Sequence, residues 1–220
     1  MLHICTPVYR MENIPLIYES IPKDSCIRWH IAHSSRVEEP RWKPPTGEFR
    51  VSVLKVDCLD VEIYKKRNAI FEKIKDGYFC LLDDDTLFHH GMYEAYRACS
   101  RSKLCGMYIG NQRGRKGKTR LHASIPIFTK IDTGNVLAHH SCLSACRWPS
   151  SHQEGVNQKD FIFWDSVYKH FGKKAVVERK DISFYNELRN ETDIKHRYRG
   201  GKKRKLSHDD GKAGDIYPQP

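Results

Sequence analysis

Along the first 110 residues, short apolar runs alternate with amphipathic stretches. Residues 2–9 (LHICTPVY) form an apolar run that breaks at Thr6-Pro7 and predict a first strand. A helix follows from about Asn13, because Pro15 is tolerated in a first turn, where its missing N–H has no partner to lose. Residues 28–34 (RWHIAHS) predict a second strand, and the Pro-rich EEPRWKPPTGE a loop. The β-branched run 51–57 (VSVLKVD) predicts a third strand. Asp60 is placed to cap a helix reaching about Lys75. Its apolar stripe is Ile63, Ile70, Phe71 and Ile74, with Lys65, Lys66 and Arg67 mostly off that face.

Gly77 ends that helix, and YFCLL follows as a near-continuous apolar strand that runs into Asp83, Asp84 and Asp85. Residues 91–101 predict a helix and 104–110 a strand, followed by a basic loop over 111–120. Residues 120–143 mix strand and turn character. An aromatic helix is expected over 160–171, with a last strand and turn over 175–188. Alternation of this kind predicts an α/β domain with a mostly parallel central sheet flanked by helices. Such sheets bind ligands at the carboxyl ends of their strands. Those ends are Thr6 to Tyr9, Ser34-Ser35, Asp57 and the acid triplet.

Composition narrows the classes. The 220 residues are 39% hydrophobic and 30% charged, which excludes a wholly disordered, collagen-like or coiled-coil chain. No apolar run is long enough to span a membrane, and the N-terminus lacks the pattern of a secretion signal. The formal charge of +11 sits in two places: 195–220 carries eight Lys/Arg against three Asp, and 111–120 carries five with no acid. The body is therefore near neutral, and the expected organisation is a domain over 1–194 with a basic tail without fixed structure over 195–220. The tail is expected to make at most weak contact with an anionic surface. Eight cysteines without a CxxC pair fit free thiols in a reducing, cytoplasmic compartment. The cluster His139, His140, Cys142, Cys146 and His152 is too loosely spaced to favour zinc.

The triplet carries the sharpest chemistry. Adjacent carboxylates repel unless a positive charge sits among them, and hard oxygen donors suit Mg²⁺ or Mn²⁺. Along an extended chain Asp83 and Asp85 point one way and Asp84 the other. Two carboxylates on one side hold a divalent ion, which in turn holds a diphosphate.

Four stretches resemble the GT-A fold glycosyltransferases, the family-2-like ones in particular: CTPVYRMENIP, KKRNAIFEKIKDGYFCLLDDDTLF, KIDTGNVLAHHSCL, and DFIFWDSVYKHF with ISFYNELR. They span roughly residues 2 to 190 and are similar to small viral and bacterial domains of that kind. The resemblance implies a Rossmann-like sheet and a DxD motif that holds Mn²⁺ or Mg²⁺ through Asp83 and Asp85. It implies hexosyl transfer from a nucleotide-sugar donor, UDP-sugars by family habit, to a glycan or glycoconjugate acceptor. Thr6, Pro7 and Tyr9 would border the base. Asp57, Arg67, Asn68, Asp83 and Asp84 would lie against the nucleotide. A viral member would work in the host cytoplasm, and a peripheral membrane position fits the basic tail.

An inverting transfer also needs a general base. Glu154, Asp160 and Asp165 are the candidates. Asp160 falls inside the helix stripe of Phe161, Trp164, Val167, Tyr168 and Phe171, while Asp165 falls at its edge. Asp160 is the first choice and Asp165 the second. The turn Asp132-Thr133-Gly134-Asn135 is assigned to the sugar or acceptor pocket. Trp164 is read as a core residue before a sugar platform. Three rival readings stand beside this one: a haloacid-dehalogenase-like phosphatase, from LLDDDTLF without that family's glycine; a nucleic-acid-binding module built on the basic loop and tail; and, last, a sugar-nucleotide nucleotidyltransferase, whose Gly-rich loop PVYRMENIP lacks.

Overall fold

The β-branched and aromatic runs do form strands, and they join into one sheet. The computed structural model describes residues 1–37, 42–43, 49–102, 105–114, 117–150, 159–185 and 187–188. Its strands are β1 (Leu2–Pro7), β2 (Ile27–Ser34), β3 (Arg50–Val56), β4 (Tyr78–Leu81), β5 (Met107–Arg113), β6 (Thr119–Leu121), β7 (Val136–His139) and β8 (Ala175–Phe184). The helices are α1 (Ile14–Ser20), α2 (Ile63–Phe71), α3 (His90–Arg101) and α4 (Lys159–Phe171). Sheet order is β3-β2-β1-β4-β7-β5-β6, with β8 paired to β5. β1 to β4 are mutually parallel, as is β5 with β8. β7 runs antiparallel to both β4 and β5, and β6 antiparallel to β5. The α/β class with a mostly parallel, helix-flanked sheet holds.

Period-two alternation splits the core into two faces. Leu2, Ile4, Tyr78 and Cys80 point to one side, against Ile14 and Ile17 of α1 and Met92 and Ala95 of α3. Cys5, Phe79 and Leu81 point to the other, against Ile70 and Phe71 of α2 and Phe163, Trp164 and Val167 of α4. Trp164 is fully buried, so it is a core residue, not a sugar platform. Gly77 sits at φ +65° where a Cβ would meet the Met1 carbonyl, and this turn sends the chain into β4.

Several expectations change. α2 is shorter than expected and Asp60 does not cap it. Asp60 instead accepts a bond from the Lys66 ammonium at 2.6 Å, and Lys66 also donates to the Val8 carbonyl at 2.6 Å. Lys66 is wholly enclosed and Arg67 nearly so, whereas Ile63 is 37% exposed. The face expected to be solvated thus carries two buried cations. Burial of these charges is tolerated because carboxylates and carbonyls meet them directly. The described ends of the basic segment, 111–113 and 119–120, lie in the β5–β6 hairpin, with Arg113 paired to Asp181 at 2.6 Å and Arg120 to Asp132 at 2.7 Å. Among the described residues no group of three His, Cys, Asp or Glu is poised for a metal, and no helix is long and apolar enough to cross a membrane. His152, Glu154 and the tail 195–220 lie outside the described residues.

Candidate functional site

The acid triplet follows β4, at the carboxyl ends of the parallel strands. The chain does not stay extended there: the Thr86 amide donates to the Asp83 carbonyl at 3.1 Å and closes a turn. The expected same-side pairing of Asp83 with Asp85 therefore gives way to another arrangement. Asp84 turns inward and accepts from the Tyr9 and Arg10 amides at 2.5 and 2.6 Å and from the Arg10 guanidinium at 2.8 Å. The same guanidinium lies 3.4 Å from Asp85. All three groups are under 10% exposed. Burial pushes the Asp84 carboxyl up, while the bonds from Arg10 and Tyr9 pull it back. Asp84 therefore anchors the loop after β1 to the loop after β4, and its expected nucleotide contact is replaced by that structural role. The Leu188 amide donates to the Asp85 carbonyl at 2.9 Å, which draws the chain after β8 against the triplet.

Asp83 is the accessible member, with 39% of its side chain exposed. One oxygen meets Arg67 at 3.0 Å, and the other meets the Thr133 hydroxyl at 3.0 Å. That hydroxyl also stands 3.0 Å from Asp132, and its single proton serves one carboxylate at a time. Arg67 reaches on to Asp160, in the first turn of α4, at 3.6 Å. Two carboxylates far apart in sequence are thus joined through one guanidinium. The Asp160 carboxyl is pushed up to about 7, first by lost hydration and then by Asp132 and Asp83, with Arg67 opposing. Its side chain is crowded but not sealed, since 38% still meets solvent. It opens on a pocket of about 240 Å³ lined also by Val61, Ile63, Tyr64, Arg67, Trp148 and Lys159. A larger concavity of about 430 Å³, beside His140 and Arg147, lies toward the opposite end of β4 and touches none of these acids.

The remaining candidates divide. Tyr9 is 38% exposed, and its ring lies 5.5 Å from the Lys66 ammonium. Asp57 is exposed at the end of β3 and loosely paired with Arg36 at 3.9 Å, a rim position. Pro7 is buried. Thr6 is fully buried and its hydroxyl accepts from the Trp29 indole at 2.8 Å, so that side chain ties β1 to β2 and does not line the cleft. Asn68 exchanges two bonds with the Trp148 backbone, at 3.1 and 2.9 Å; it pins a loop and is not free to hold a nucleotide. Asp165 pairs with Lys169 one helical turn on, at 2.7 Å, and is a helix-surface ion pair with no contact to the triplet. Within 132–135, Asn135 is fully buried in a capping box, whereas Asp132 and Thr133 reach the acids.

Sequence reasoning passed over Arg10, Trp148 and Arg120. Arg120 lies in a basic run that reads as a loop, Arg10 is a lone charge after the first strand, and Trp148 sits in a polar, Pro-bearing stretch with no periodicity.

The architecture is that of a helix-flanked α/β domain with an acidic cleft at its strand ends. No family model matches the chain, and no curated protein matches its sequence. Among solved structures it is similar in fold to S. aureus TarS. Against TarS 1–349 the TM-score is 0.57 at 12% identity, covering 84% of this chain and 58% of that one. Against a second TarS structure it is 0.61 at 11%, covering 84% and 36%. Against TarS 1–349 in complex with UDP-GlcNAc it is 0.57 at 12%, covering 84% and 56%. TarS 1–349 is also solved in complex with UDP. The chain spans less than three-fifths of each of these structures.

Proposed function

We propose that this chain is a GT-A-type, family-2-like glycosyltransferase that moves a hexosyl unit from a UDP-sugar to an acceptor hydroxyl with inversion. The observation that carries the reading is the linkage of Asp83, at the end of β4, to Asp160, at the start of α4, through Arg67. It sets an acid able to face a diphosphate beside an acid able to face an acceptor. The likeness to TarS structures that hold UDP-GlcNAc and UDP supports the donor class.

The donor set fits a hard divalent cation: carboxylate and hydroxyl oxygens at Asp83, Asp85 and Thr86, with no sulfur or imidazole among them. Magnesium characteristically takes one or two protein carboxylates and completes its shell with water and substrate phosphates. Asp83, the accessible member, would hold it, joined by Asp85 once its long 3.4 Å contact with Arg10 yields, and the ion would supply positive charge for the departing diphosphate. Arg67 adds a fixed cation at the same end of the cleft. Asp160 accepts the proton of the acceptor hydroxyl. An effective base has its pKa close to the working pH, and the value of about 7 fits that role. Tyr9 offers an aromatic face to the base, and Asp57 a carboxylate at the rim. Free cysteines throughout fit work in a reducing, cytoplasmic compartment.

Calorimetry with UDP-GlcNAc and other UDP-sugars, with and without Mn²⁺, tests this on wild type and Asp85→Ala. Metal-dependent binding that Asp85→Ala loses is expected. Equal metal-dependent binding by the variant would remove Asp85 from the role, and no binding of any nucleotide sugar would refute the function.

A further inference from the structure

We infer that Trp148 is a positioning residue: its indole holds the Arg67 guanidinium in the plane from which one cation reaches both Asp83 and Asp160. The inference rests on the reading of Asp160 as base and names what fixes that base's surroundings.

Arg67 carries its load at the two terminal nitrogens, toward Asp83 at 3.0 Å and Asp160 at 3.6 Å. Its Nε is buried with no hydrogen-bond partner among the described residues. A third bond therefore does not fix the rotation of the fork. The contact that does is a face: the guanidinium carbon lies 4.0 Å from the centre of the Trp148 ring. A guanidinium stacks on an aromatic face in a way an ammonium does not.

Trp148 is itself held. It also packs on two rings of α4, Phe163 at 4.6 Å and Trp164 at 6.5 Å between centroids, and only 3% of the residue is exposed. Its backbone N–H and C=O both bond the Asn68 amide, the residue next to Arg67 on α2. The indole is thus tied to the turn that carries Arg67 and packed on the helix that carries Asp160. A shift of the ring moves the cation relative to both acids.

The charged groups facing Asp160 are Arg67 from α2, Asp83 after β4, and Asp132 before β7, with Lys159 beside it on α4. Arg67 is the group that favours the ionised carboxyl, and the two acids disfavour it. Loosening Arg67 leaves the acids unopposed, so Asp160 holds its proton to higher pH.

The test is the titration of the Asp160 carboxyl carbon by NMR on the full chain without substrate, assigned with Asp160→Asn. An opposite charge this close lowers a carboxyl pKa by roughly one unit or more. Trp148→Leu is expected to raise the apparent value by about one unit, tenfold in proton affinity. Arg67→Met is expected to raise it at least as far, and the double variant no further than Arg67→Met alone. Trp148→Phe, which keeps an aromatic face, recovers most of the wild-type value. Asn68→Ala cuts the tether without touching the ring; it gives a smaller rise and covers a Trp148→Leu chain that does not fold. An unmoved titration in Trp148→Leu or, failing that variant, in Asn68→Ala, beside a moved one in Arg67→Met, overturns the inference. The low-pH limb of kcat/KM shifts upward by the same amount in the Trp148 variant. Because the titration needs no substrate, absence of sugar transfer by wild type sinks the transferase reading separately from this one.

Discussion

Acid should weaken this fold through one buried histidine pair before it reaches most carboxylates. His3 on β1 and His30 on β2 are 1% and 6% exposed. His3 Nε2 lies 2.8 Å from Asp76, His3 Nδ1 lies 2.9 Å from His30 Nε2, and His30 Nδ1 lies 2.7 Å from the Ser52 hydroxyl. Only one assignment of protons satisfies the whole chain with Asp76 ionised and both rings neutral. Ser52 donates to His30, His30 donates to His3, and His3 donates to Asp76. A further proton on His30 meets the Ser52 oxygen only after that hydroxyl turns away, inside a desolvated site. Burial accordingly holds His30 down to about 4, from 6.5 in the unfolded chain, and His3 and Arg28 push the same way. Between those two pH values the unfolded chain binds the proton and the native one does not, so stability falls as pH falls. The contribution is complete above about pH 6.5 and lost by about pH 4; the gap corresponds to about 3 kcal/mol. Roughly 2 kcal/mol of it falls above about pH 5, where few carboxylates titrate. Urea unfolding followed by tryptophan fluorescence, wild type against His30→Asn, reads it as a pH-dependent difference in stability. A difference that stays flat from pH 6.5 to about 5 would mean that His30 is hydrated or already charged in the native state, and the proton assignment would be wrong.

Two other substitutions test the cleft. Asp160→Asn keeps the shape of the side chain but removes its capacity to accept a proton; transfer should fall roughly 10²–10⁴-fold with donor affinity by calorimetry little changed. Arg10→Met strips the guanidinium from Asp84 and Asp85 while leaving the amide bonds. A buried pair broken on one side costs about 3–5 kcal/mol, read as a lower urea midpoint, and a loss under 1 kcal/mol would show the acids are neutralised by other means.

The strands are legible for two different reasons: β4 is buried throughout, whereas the edge strand β3 keeps a β-branched run among exposed positions. YFCLL has no polar residue to place, and VSVLKVD is bounded by polar turns, so period and length alone locate β4 and β3 within a residue. In helix α2, charge conceals the buried face instead. Residues 65–67, Lys-Lys-Arg, look like a solvated face to any scale that assigns charge to water. Lys66 and Arg67 instead turn inward because Val8, Asp60, Asp83 and Asp160, all distant or out of period, converge on them. Asp60 aside, no window of local sequence contains those partners. The same holds for Arg113 and Arg120, which find Asp181 on β8 and Asp132 in the turn before β7.

The site shows where sequence geometry stops. A strand ending in three acids marks the place, and a carboxylate inside an aromatic stripe marks Asp160. Which acid faces the cleft depends on whether the chain stays extended after Leu82. The turn closed by Thr86 decides that, and it gives Asp84 and Asp85 to Arg10 and Asp83 to Arg67. An alternation rule applied past the end of the strand pairs Asp83 with Asp85 on one side and leaves Arg10 unnoticed. The general reason is electrostatic: clustered acids must be neutralised from within the fold before they can serve a ligand, and the neutralising arginines come from other strand ends and helices. At a carboxyl-end cleft, buried arginines are therefore as informative as the acids, because they separate the member that holds the fold, here Asp84, from the member left at the surface, here Asp83.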